Sequence, residues 1–110
     1  MKIYDLHDKE GKAYAFEIDN VLLGRRGACR VVRSIPNANI LKEPKLLSWH
    51  REEIFCEFEL DGLRFQVWEP FGDNSRYWVG PESATETRQI NVIRAAFEAA
   101  GSFGKNSNDG

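Results

Sequence analysis

The chain has 110 residues, which is enough for one domain with a buried core and too few for two. Hydrophobic residues at 42% and charged residues at 29% are typical of a globular protein, and a net charge of -2 gives no general attraction to nucleic acid. No apolar run approaches the roughly 18 residues that a helix needs to span a bilayer, so the sequence predicts no membrane-spanning helix.

The first predicted element is a β-hairpin with strands at residues 2–7 and 12–19. A three-residue loop joins them, and Gly11 stands in this loop where the backbone needs a positive φ. Counting outward from the loop places Tyr4 opposite Phe16 on one face of the hairpin. We therefore expect the chain to begin with two antiparallel strands.

Residues 20–27 predict a turn or one short helical turn, and the apolar run 28–35 predicts a third strand that ends at Pro36. The one basic concentration in the sequence lies here and comprises Arg25, Arg26, Arg30 and Arg33. On a strand, the odd spacing of Arg30 and Arg33 points them to opposite faces, so they would not form one basic stripe. This arrangement favours pairing with the acidic second half of the chain over binding to nucleic acid.

The strongest structural signal is a second hairpin, with strands at residues 53–60 and 63–69 joined by the Asp-Gly dipeptide at 61–62. This dipeptide favours a type I′ turn, because both of its positions need a positive φ. Counting outward from the turn alternates apolar pairs with polar pairs, which is typical of a sheet with one buried face. Phe55 and Trp68 are predicted to face each other at the far end of the polar face.

Residues 75–79 predict a further strand. Ser83 and Glu86 form a capping box, and the apolar spacing from 84 to 100 predicts a long helix that begins at this box. Gly101 stands where a glycine commonly ends a helix, so we expect the helix to stop there.

These elements predict an α+β domain over residues 1–101, with a mostly antiparallel sheet of about five strands and one long C-terminal helix packed on one face. Residues 102–110 are rich in Gly, Ser and Asn, and we expect them to be disordered. The pattern between 37 and 51 is irregular, and its cluster of Leu46, Leu47 and Trp49 is expected to lie over an edge of the core.

The segment 68–81 combines turn-forming residues with an unusual number of aromatic rings, those of Trp68, Phe71, Tyr77 and Trp78. One interpretation is that these rings close one end of the core. The other is that some of them stay exposed for a partner. Alternation along the strand separates Tyr77 from Arg76 and Trp78, and Trp, Tyr and Arg are the residues enriched at binding hot spots.

We predict a non-enzymatic protein that binds a protein partner through the outer side of the second hairpin and the adjoining loop. The predicted partner-binding residues are Phe55, Glu57, Glu59, Trp68, Glu69, Phe71, Asp73, Arg76 and Trp78. The rings would supply apolar anchors, and the charged residues would select the partner by complementary charge. Two alternatives stay open: a homodimer through the same surface, and a small enzyme or ligand-binding domain with a pocket around Glu69, Asp73 and Arg76.

The sequence carries no signature of a metal site or a cofactor site. His7, His50, Cys29 and Cys56 are scattered singly, whereas a zinc site needs three or four ligands at short spacing. No nucleophile elbow or phosphate-binding loop is present, so we expect no metal, no cofactor and no catalytic residue. The polar start of the chain is not that of a signal peptide, so we expect a cytoplasmic protein whose two cysteines are buried thiols.

In its size, its α+β class, its mild acidity and its few exposed rings beside a charged face, the chain resembles the immunity proteins of bacterial polymorphic toxin systems. Those proteins bind and block a cognate toxin domain. The resemblance covers general character and no motif, so it assigns a role to no residue. It implies a bacterial, cytoplasmic protein whose partner is a toxin domain.

Overall fold

A computed structural model of the chain describes residues 2–19, 23–42, 54–69, 76–83 and 87–109. The elements in chain order are β1 (Ile3–His7), β2 (Ala13–Asp19), α1 (Gly24–Arg33), β3 (Asn39–Lys42), β4 (Ile54–Leu60), β5 (Leu63–Trp68), β6 (Arg76–Pro81) and α2 (Gln89–Asp109). The strands form one antiparallel sheet with the order β1-β2-β6-β5-β4-β3. The predicted α+β class and the helix α2 on the sheet are therefore confirmed, whereas β3 and α1 were not predicted.

The turn between β4 and β5 has the predicted geometry. Asp61 and Gly62 both have positive φ, 54° and 79°, as a type I′ turn requires. From this turn the pairs follow the predicted register as far as Cys56 opposite Val67. The sequence therefore specifies the centre of the sheet through one turn and one alternating pattern.

The predicted pair of Phe55 and Trp68 is wrong, because the register of β4 shifts before it reaches Phe55. Ile54 pairs with Trp68 instead, and Phe55 is the additional residue of a β-bulge. A bulge re-aims the side chain at its extra position, and Phe55 consequently joins the core with 2% of its surface exposed. Phe55 is therefore not on the polar face of this hairpin.

The first hairpin shows the same effect. Its loop is as predicted, since Gly11 has a φ of 82° and the amide of Asp8 donates to the carbonyl of Lys12 at 2.9 Å. The register then shifts between Leu6 and His7, so Tyr4 pairs with Glu17. The predicted pair of Tyr4 and Phe16 is wrong, and Tyr4 lies on the face opposite to Phe16.

The predicted third strand at residues 28–35 is also wrong, because this stretch belongs mainly to helix α1. Its buried residues are Ala28, Cys29, Val31 and Val32, followed by Ile35 just beyond the helix. Spacings of one, three, four and seven residues put these side chains on one face of a helix. Arg26, Arg30 and Arg33 are exposed at spacings of four and three, so they share a helical stripe.

Helix α2 extends from Gln89 to Asp109 and passes Gly101, where the sequence predicted its end. A glycine inside a helix costs only about 1 kcal/mol relative to alanine, so it permits an end and does not impose one. The predicted disorder of 102–110 stays a prediction. The residues at 84–86 of the predicted helix start and the apolar cluster at 46–49 lie outside the described ranges.

The hydrophobic core lies between the two helices and one face of the sheet. Ile90, Ile93 and Phe97 of α2 are buried in it, and the ring of Phe97 meets that of Phe16 edge to face at 5.6 Å between centroids. Helix α1 packs beside α2 on the same face. Neither described helix is long and apolar enough to cross a bilayer.

Candidate functional site

We call the sheet face opposite to α1 and α2 the outer face; within the described ranges no helix covers it. The register places one residue from each of five neighbouring strands in a row across this face. This row, the aromatic band, consists of Tyr4, Glu17, Trp78, Trp68 and Ile54. All five side chains are half-buried, so each still presents surface to solvent.

The centre of the aromatic band is a cross-strand pair of tryptophans. Trp68 and Trp78 are directly opposite each other, with ring centroids 6.2 Å apart and an interplanar angle of 67°. An edge-to-face contact of this kind is favourable beyond the area it buries. The pair therefore holds two large rings in a fixed position on the outer face.

Gly80 explains how Trp78 lies against the sheet. A Cβ atom at Gly80 would be 2.7 Å from Cη2 of Trp78 and 2.7 Å from Cβ of Ala15. Only a glycine leaves room for the indole two positions earlier on the same face of β6. The orientation of Trp78 thus depends on a missing side chain.

Arg76 fixes the β1 end of the aromatic band. Its guanidinium lies over the ring of Tyr4 at 3.7 Å from the centroid, and its Nη1 donates to Oε1 of Glu17 at 3.1 Å. A planar guanidinium can stack on a ring and bind a carboxylate at once, which a lysine cannot reproduce. Arg76 is therefore held by two partners from two other strands.

Two of the acidic residues of the predicted site, Glu57 and Glu59, also lie on the outer face. Glu57 is opposite Gln66, and Glu59 is opposite Arg64, as the sequence predicted. Both glutamates are half-buried. They place carboxylates on β4 beside the tryptophan pair on β5 and β6.

Two predicted site residues lie on the other side of the sheet. Glu69 is 3% exposed, and its Oε1 accepts hydrogen bonds from Nε and Nη2 of Arg25 at 3.1 and 2.8 Å. The same guanidinium lies over the ring of Phe55 at 5.1 Å from the centroid. Phe55 and Glu69 therefore attach α1 to the sheet and do not contribute to an exposed surface.

The structure separates Glu69 and Arg76, two of the three residues of the alternative pocket. Glu69 binds Arg25 of α1 on the helix side, whereas Arg76 binds Glu17 on the outer face. Asp73 and Phe71 lie outside the described ranges. A depression of about 560 Å³ between the β4–β5 turn and the start of α2 contains none of the predicted site residues.

Sequence reasoning missed three members of the aromatic band, Tyr4, Glu17 and Ile54. Tyr4 and Ile54 reach the outer face because a β-bulge shifts the register, whereas Glu17 lies there by alternation with its neighbours in β2. For Glu17 the sequence did contain a signal, because this polar residue stands between Phe16 and Ile18, which were predicted to share one face. Among the residues with described placement, no group of three or more His, Cys, Asp or Glu could hold a metal ion.

No family model matches the chain, and the comparisons with curated proteins and with solved structures found no similar protein.

Proposed function

We propose that this protein is a non-enzymatic binding module that docks a protein partner on its outer face. The observation that carries the proposal is the pair of Trp68 and Trp78, rigidly packed and still partly exposed. Tryptophan is the residue most enriched at binding hot spots, because it buries a large area and loses little rotamer freedom. The part of the two indoles that stays exposed is apolar surface that a partner would bury.

The neighbours of the tryptophan pair suit the same role. Arg76 is held over Tyr4 and against Glu17, so its charge is fixed before a partner arrives. Preorganisation of this kind lowers the entropic cost of association. Glu57 and Glu59 add negative charge next to the rings, which favours a partner with a basic surface and accelerates encounter.

The partner that we propose is a toxin domain, which makes the chain an immunity protein of the cytoplasm. The support is the general resemblance in size, α+β class and acidity together with the aromatic band. An immunity protein acts by association alone, so it needs a firm docking surface and no catalytic group. The small enzyme is the weaker candidate, because Glu69 and Arg76 lie on opposite sides of the sheet.

The test is the affinity of purified wild-type and Trp68→Ala protein for the protein encoded by the adjacent gene, measured by isothermal titration calorimetry. We expect at least a 30-fold loss of affinity, because a hot-spot residue contributes about 2 kcal/mol or more. The melting temperature should fall by several degrees, because Trp68 is half-buried and its contact with Trp78 is lost, so binding is measured at a temperature at which the variant is folded. Val92→Ala is the matched control, since Val92 is 50% exposed on α2 and far from the outer face.

An unchanged affinity in Trp68→Ala would overturn the outer face as the docking site. Absence of binding by the wild-type chain would overturn the toxin-domain partner. Sedimentation at increasing concentration tests the homodimer: a dimer that Trp68→Ala dissociates would show that the outer face binds a second copy of the chain.

A further inference from the structure

The two cysteines of the chain meet inside the core. Cys29 lies in α1 and Cys56 in β4, and their Sγ atoms are 3.0 Å apart. Their exposed fractions are 2% and 0%. A disulfide bond is shorter than this separation by about 1 Å, so the two sulfurs must approach each other by that distance to bond.

The surroundings of the pair disfavour two other roles of thiols, as a nucleophile and as a zinc ligand. Burial raises the pKa of the Cys56 thiol, and the hydrogen bond with Cys29 raises it further. A thiol of this kind is a poor nucleophile toward molecules in solution. Two sulfurs alone also fall short of the three or four ligands of a zinc site. The structure does place the two sulfur atoms next to each other, which is the arrangement that disulfide formation needs.

We propose that Cys29 and Cys56 are a modification site: under oxidising conditions an intramolecular disulfide forms between them and connects α1 to β4, whereas in a reducing cytoplasm both stay thiols. The oxidant is a small-molecule disulfide such as oxidised glutathione. One cysteine thiolate attacks it and releases one glutathione, which leaves a mixed disulfide. The second cysteine thiolate attacks the protein sulfur of that mixed disulfide and releases the second glutathione. Two protein thiols become one disulfide, and the glutathione disulfide becomes two thiols that carry the two protons.

Burial determines when this reaction occurs. Both sulfurs are closed to solvent in the folded chain, so exchange requires that α1 has not yet docked or has opened transiently. Oxidation should therefore be fast during refolding and slow in the native protein. Once formed, the disulfide is buried by the same packing, so a reductant in solution reaches it slowly.

The crosslink would join residues 27 positions apart in the sequence and enclose β3 with its flanking connections. A loop of this length restricts the unfolded chain considerably, so the native state gains stability. The disulfide would lie on the helix side of the sheet. It is thus independent of the outer face and of the function proposed for it.

The experiment refolds the reduced wild-type chain in a buffer of reduced and oxidised glutathione and quenches it with acid. Thiols are counted in denaturant, and a proteolytic digest is mapped by mass spectrometry without reduction. We expect no free thiol, a mass lower by two hydrogen atoms, and one linked peptide pair that contains Cys29 and Cys56. Two free thiols, or only a dimer linked between chains, would overturn the proposal.

Thermal melting provides a second measurement on the wild-type chain alone. The oxidised protein should melt on the order of 10 °C above the reduced protein. The double variant Cys29→Ala with Cys56→Ala is the control, and its melting temperature should not respond to glutathione. An oxidised wild type that melts at or below the temperature of the reduced protein would contradict a crosslink compatible with the fold.

Discussion

At the scale of single residues, the ion pair of Arg25 and Glu69 is the most consequential polar contact inside the fold. The Glu69 side chain is 4% exposed and that of Arg25 19% exposed, so the pair is largely removed from water. Burial of a carboxylate is costly unless a charged donor satisfies it. Arg25 does so with two hydrogen bonds and also covers the ring of Phe55. One residue therefore attaches the first turn of α1 to both β4 and the end of β5.

Arg25→Ala tests this role. The substitution leaves the carboxylate of Glu69 buried without its cation, and we expect the free energy of unfolding to fall by about 3 kcal/mol or more. Arg26→Ala is the matched control, because Arg26 is exposed one position further along α1 and should change stability by less than about 0.5 kcal/mol. Urea denaturation measures both. Equal effects of the two substitutions would show that the buried pair does not stabilise the attachment of α1.

The thiol of Cys56 predicts a pH dependence of stability in the reduced protein. Burial raises its pKa above that of an unfolded cysteine, about 8.5. Above this pH the unfolded chain loses a proton that the native chain keeps, so unfolding becomes more favourable. We expect the free energy of unfolding to fall by up to about 1.4 kcal/mol per pH unit between pH 8.5 and 10.

Denaturation under a phosphine reductant measures this slope, and Cys56→Ala should flatten it. The stabilisation is complete below pH 8.5, so the two proteins should show parallel profiles there. A wild-type stability that stays constant up to pH 10 would contradict the raised pKa.

At the scale of elements, the outer face depends on Gly80 and on the indole that lies against it. Gly80→Ala would put a methyl group 2.7 Å from Cη2 of Trp78 and from Cβ of Ala15. We expect a loss of about 1–3 kcal/mol in stability and a change in tryptophan fluorescence as the ring moves. In a Trp78→Ala background the same substitution should cost less, because only the contact with Ala15 remains. An equal cost in both backgrounds would place the clash at Ala15 alone.

The elements that the sequence predicted well are those fixed by local chemistry. The turn at 61–62 needs two residues with positive φ, and Asp-Gly provides them, so the pairs next to the turn follow. A β-bulge has no comparable signature, because any residue can occupy the extra position. The predicted register was therefore lost at Phe55 and between Leu6 and His7, and Ile54, Phe55 and Tyr4 lie on the faces opposite to those predicted.

Helix α1 was missed for a different reason. The run 28–35 contains β-branched residues, which are common in strands, and its apolar positions fit a helical spacing equally well. Packing decides between these patterns, because α1 covers β4 and lies beside α2. The error also affects the prediction for the basic residues, since Arg30 and Arg33 point to the same side of a helix and not to opposite faces. No local signal places Cys29 of this helix against Cys56 of β4.

At the scale of the whole molecule, the two faces of the sheet differ in what they carry. The helix side carries the core, the buried ion pair and the cysteine pair. Arg94 of α2 reinforces this side by binding both carboxylate oxygens of Asp5 in β1 at 2.7 and 3.2 Å, which connects two ends of the chain. That hydrogen bonding raises the pKa of Arg94, so its guanidinium keeps its charge as the pH rises. The outer face is left with rings and charges that the core does not need.

This separation predicts that folding and binding can be impaired independently on one strand. Val67 and Trp68 are adjacent in β5 and point to opposite faces, and Val67 is fully buried. Val67→Ala leaves a cavity and should cost about 2 kcal/mol, which lowers the melting temperature by several degrees. The protein that remains folded should bind the partner with wild-type affinity, because no contact on the outer face is lost. Trp68→Ala should lower the affinity at least 30-fold, well beyond what its own loss of stability explains, because it removes a ring of the outer face. Calorimetry of unfolding and of binding on the same samples measures both, and a loss of affinity in Val67→Ala as large as that in Trp68→Ala would show that the two faces are not independent.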